Sequence, residues 1–78
     1  MMWMMLNPRE IELVRKRVDG ETANANIMRI VQQKLDPTTG ELELTEGELN
    51  EVQTCSRAWS DGYEKELKAI LSAADRHS

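Results

Sequence analysis

The sequence predicts an all-α fold, a short helical hairpin packed on one long C-terminal helix, and three observations carry that expectation. Helix-start signatures stand at Asn7-Pro8-Arg9-Glu10 and Thr45-Glu46-Gly47-Glu48, where a capping side chain is followed three residues later by an acid. Apolar residues from Leu49 to Ala74 keep one angular sector at helical spacing. The first two apolar stripes are out of phase with each other across Gly20, which demands a turn there.

Residues 1–6, Met1-Met2-Trp3-Met4-Met5-Leu6, are apolar but too few to span a membrane, and they lack the basic start and small-residue cleavage site of a signal peptide. They read as an apolar arm that folds onto the core or docks on a partner, because unbranched thioether chains adapt to irregular surfaces.

Helix 1 is expected over 7–19. Asn7 is its cap, Pro8 loses nothing at the first helical position, Glu10 completes a capping box, and Leu6 with Ile11 forms a hydrophobic staple. Ile11, Val14 and Val18 make its apolar face, and Asp19-Gly20 ends it. Helix 2 is expected over 22–35, from the weaker cap Thr22 to the stop at Asp36-Pro37, with Ile27, Ile30, Val31 and Leu35 inward.

Residues 36–44 read as an extended connection. Asp36-Pro37-Thr38-Thr39-Gly40 is a turn cluster, and Glu41-Leu42-Glu43-Leu44 alternates with period two, but an isolated strand has nothing to pair with inside an all-α chain. Its leucines are expected to lie on the helices, with pairing across a dimer as the other choice.

Helix 3 is expected to run uninterrupted over 45–75. Leu49, Val52, Ser56, Trp59, Tyr63, Leu67, Ile70 and Ala74 stay in phase across Ser60-Asp61-Gly62, and a mid-helix glycine costs only about 1 kcal/mol relative to alanine. Such a helix would extend about 45 Å, roughly twice what helix 1 or helix 2 covers. The uncovered part of the stripe predicts a homodimer whose interface holds Trp59, Tyr63, Leu67, Ile70 and Leu71.

Seventy-eight residues make one small domain, and a single cysteine, Cys55, leaves no disulfide within the chain, so a cytoplasmic location is expected. The net charge of −4 divides into +2 over residues 8–34 (six basic, four acidic) and −6 over residues 35–78 (four basic, ten acidic). An acidic chain gains little from releasing phosphate counterions, which disfavours nucleic acid as a partner. Helices 1 and 2 nevertheless have the outline of a helix-turn-helix, with Asn24, Asn26, Arg29 and Gln33 as candidate base or phosphate contacts, joined by Gln32 and Lys34.

No catalytic constellation is visible. The one histidine, His77, sits beside the terminal residue, and Cys55 lies at the edge of the apolar stripe, where a small hydrophobe belongs. A calcium loop aligned on Gly40 would place Leu35, Pro37 and Thr39 at ligand positions, with only Glu46 fitting, so no metal and no cofactor is expected. The function expected is a non-enzymatic protein-interaction or regulatory module acting as a homodimer. The alternatives are a helix-turn-helix nucleic-acid regulator and a small acidic inhibitor of a larger host or phage enzyme.

Overall fold

Asn7 and Thr45 start helices as their neighbours dictate. Each side chain accepts the backbone N–H of the third helical residue, Glu10 or Glu48, while that glutamate reaches back to the cap's own N–H at 2.9 Å. In a computed structural model, which describes residues 1–58 and 61–77, six elements follow one another. They are β1 (Met2–Met5), α1 (Pro8–Val14), α2 (Ala23–Lys34), β2 (Glu41–Leu44), α3 (Glu46–Ser56) and α4 (Glu64–Arg76).

The fold is therefore mixed rather than all-α. The expected apolar arm and extended connection find each other as β1 and β2, an antiparallel pair with Met2 opposite Leu44, Trp3 opposite Glu43, Met4 opposite Leu42 and Met5 opposite Glu41. Alternation sends Met4, Leu42 and Leu44 into the core, each almost fully buried, and turns Trp3, Met5, Glu41 and Glu43 outward.

The long C-terminal helix is also absent. Gly62 and Tyr63 both take left-handed backbone, φ 82° and 62°, which no α-helix tolerates, and the chain folds back so that α4 packs on α3. A rod of about 45 Å would not fit a molecule whose longest extent is 29 Å. Carbonyls of the turn meet the side chain of Asn24, whose Nδ2 donates to Cys55 O, Ala58 O and Gly62 O at 3.0, 3.3 and 2.6 Å. Apolar phase survives the turn because the two helices bury their stripes against each other.

Nor do the first two helices form the expected hairpin. α1 stops at Val14, short of the expected Asp19, because α2 side chains take over the carbonyls beyond it. Gln32 Nε2 donates to Val14 O and Lys16 O at 2.8 and 2.7 Å, and Arg29 Nη2 donates to Gly20 O at 2.5 Å. α1 packs on α4, while α2 packs on α3 and β2. Met4, Leu6, Ile27, Met28, Leu67 and Ile70 meet at the centre with exposures of 2% or less. No helix among the described residues is long and apolar enough to cross a membrane.

Candidate functional site

The polar residues singled out on α2 are largely engaged within the chain. Asn24 is fully buried on the α3–α4 turn, and its Oδ1 finds no partner among the described residues. Arg29 ties down the α1–α2 connection and donates to Asn26 Oδ1 at 3.3 Å. Asn26 and Gln33 do face solvent, as a groove-reading helix requires. Lys34 is held by Glu48 at 2.6 Å, and this ammonium lowers the Glu48 pKa from its ordinary value. With Asn24 inside and Arg29 committed, the four candidate contacts do not share one exposed surface.

The residues expected at a dimer interface are dispersed as well. Leu67 and Ile70 have no exposed surface, being core residues of a single chain, and Leu71 and Tyr63 are half-buried. Tyr63 Oη accepts the Asp19 N–H at 2.7 Å, with Lys16 Nζ 5.6 Å from its ring centre, so the tyrosine fastens the start of α4 to the α1–α2 connection. Trp59 lies outside the described residues. The surface argued from an overhanging 45 Å helix disappears with that helix.

A different surface is built by the sheet. The ladder continues through Leu6 N to Gly40 O at 2.8 Å, which makes Met4 with Leu42 and Met2 with Leu44 the hydrogen-bonded pairs. Trp3 with Glu43 and Met5 with Glu41 are then the non-bonded pairs, whose side chains approach more closely. The outer face thus carries an indole and a thioether, each directly beside a carboxylate. Trp3 is 44% and Met5 36% exposed, and with Met1 they are the exposed large hydrophobics among the described residues.

The free edge of β1 is capped at its Met5 end. Arg76 at the end of α4 donates to Met5 O at 3.2 Å and holds Glu10 through both guanidinium nitrogens, and the His77 ring stands edge-on to Trp3 with centroids 5.1 Å apart. His77 is exposed and flanks the outer face. Among the described residues neither Glu41 nor Glu43 has an ion-pair or side-chain hydrogen-bond partner, unlike Glu10, Glu48 and Glu66. The sequence marks residues 1–6 as an apolar arm and residues 36–44 as an extended connection without pairing them, so the shared outward face went unseen. Only Glu41 to Leu44 alternates; Met2 to Met5 is apolar throughout and carries no strand periodicity of its own.

Elsewhere the chemistry is sparse. Cys55 is buried, and burial pushes its thiol pKa up, with Glu51 and Asp61 adding to the effect. A groove between α1 and α4 is lined by Asn7, Arg9, Glu10, Leu13, Lys65, Ala69 and Ser72. No group of three or more His, Cys, Asp or Glu side chains converges as metal ligands among the described residues. Comparison with known proteins finds no matching family model, no matching curated protein and no matching solved structure.

Proposed function

We propose that the protein is a non-enzymatic interaction module that docks another protein on the outer face of its two-stranded sheet. One observation supports this best: Trp3 and Met5 stand side by side in solvent on a rigid strand whose opposite face is core. Scattered exposed hydrophobes are ordinary, whereas an aromatic beside a methionine on a fixed surface is the composition of interface centres. Trp and Met supply large contact area, and the ordering of β1 is already achieved by the fold, so a partner immobilises little on binding.

The homodimer expected through Leu67 and Ile70 is set aside, since using them would require opening the core. A non-catalytic role accords with a buried, poorly ionised Cys55 and with a lone histidine placed against an indole.

A photo-crosslinking residue at position 5, compared with one at Gln53 on the exposed side of α3, tests the reading in the cells that make the protein. Position 5 is expected to give a discrete adduct with a second protein, lost in Trp3→Ala, while position 53 gives none. Equal or absent adducts at both positions would refute the sheet face as the docking surface.

A further inference from the structure

We infer that the segment bound by this face is cationic, bearing arginine between apolar residues, and that Glu41 and Glu43 select it. The inference rests on the docking reading above and specifies the partner's chemistry. Glu43 is directly opposite Trp3 and Glu41 directly opposite Met5, so two carboxylates and two apolar side chains form one four-membered block. Both acids are exposed, and neither has an intrachain cation among the described residues. Arg76, which reaches the edge of β1, is committed to Glu10 and Met5 O.

A partner that covers Trp3 and Met5 takes those carboxylates partly out of water, which is unfavourable unless it brings positive charge. Arginine fits best. Its guanidinium stacks on an indole while its N–H groups reach a neighbouring carboxylate, and its three-carbon stem lies along a thioether. A neutral or acidic segment would bury two unpaired charges, so the same pair also rejects wrong partners.

The test uses three capped peptides that alternate leucine with arginine, lysine or glutamine, titrated into ¹⁵N-labelled protein at low ionic strength. The Trp3 indole N–H and the amides of residues 41–43 are followed. The arginine peptide is expected to bind about fivefold more tightly than the glutamine peptide, with lysine between, and about 0.5 M salt should erase the difference. Glu41→Gln with Glu43→Gln should abolish the preference and keep the weak binding common to all three; Trp3→Ala should abolish that as well. Equal binding of arginine and glutamine peptides, still lost in Trp3→Ala, overturns the cationic inference and leaves the docking face standing. Shifts confined to other residues, or no shifts, overturn the inference, while crosslinking at position 5 decides the docking reading separately. Sedimentation showing that the wild type alone dimerises, and that the double glutamine variant does not, overturns a separate partner in favour of a second copy.

Discussion

Arg76 grips Glu10 with both arms of its guanidinium, Nη1 to Oε2 at 2.9 Å and Nη2 to Oε1 at 2.6 Å, joining residues sixty-six positions apart. The arginine beside Glu10 holds its carboxyl below the ordinary value of 4.5, against the opposing effect of burial and with help from the Asn7 N–H. A carboxyl whose folded pKa is depressed contributes stability above its unfolded pKa and loses it as pH falls through the folded one.

Glu10→Gln keeps an acceptor for the capping box and removes only the charge. At pH 7 its Tm is expected to fall by roughly 5 °C, a modest loss because the arginine side chain is 44% exposed and solvent screens the pair. Melts from pH 7 downward should show the gap between variant and wild type closing below about pH 4. A gap independent of pH would mean the ion pair contributes nothing.

Gly40 and Gly20 share left-handed backbone, φ 85° and 86°, but differ in surroundings. A Cβ on Gly40 would collide with the carbonyl of Leu6, where β1 meets the turn before β2, while one on Gly20 meets open space. Gly20→Ala should cost about 1–2 kcal/mol, and Gly40→Ala about 3 kcal/mol or more. Urea unfolding that finds the two equal would show that the approach of Leu6 to Gly40 is not tight.

Asn24 donates to the three carbonyls of the α3–α4 turn. Asn24→Ala is expected to cost about 1–3 kcal/mol, chiefly by stranding Gly62 O, since Cys55 O and Ala58 O also accept from the Ala58 and Asp61 N–H groups. Asn24→Asp should cost more at pH 7, where the introduced carboxylate has no hydrogen to give and faces carbonyl oxygens. Burial raises the folded pKa of that group, so the penalty is fully present above it and eases as pH falls through it. Asn24→Asp no less stable than Asn24→Ala at pH 7 would contradict the donor role.

Cys55 should be labelled by a thiol reagent at least about tenfold more slowly in the native protein than in guanidinium, because its thiol is buried and poorly ionised. Equal rates would mean that the α3–α4 region opens readily.

What the sequence disclosed follows the range of the forces involved. The caps at Asn7, Thr22 and Thr45 were legible because they are agreements between residues three apart, and all three side chains make the expected bond. The α3–α4 turn was not. Its stabilising donor, Asn24, comes from another helix, and a stripe that folds back on itself has the same periodicity as one that continues. The sheet was half legible: Glu41 to Leu44 alternates as a strand should, yet its partner is at the other end of β1–α1–α2, with no local mark of the pairing. The outer-face site inherits that gap, since Trp3 and Glu43 become neighbours only through the register.

The pairing of Met2–Met5 with Glu41–Leu44 also sets an order on synthesis. The ribosome delivers the methionine-rich strand long before the segment that hydrogen-bonds it, and Ile70 and Ala73, which share its core, follow later still. Met4 must wait unpaired until Glu41–Leu44 has been made, a period when an apolar strand is open to aggregation. Non-local closure of this kind makes folding slower than in a helical bundle of the same length. A nascent chain stalled before Glu41 would therefore be a better chaperone substrate than the finished protein.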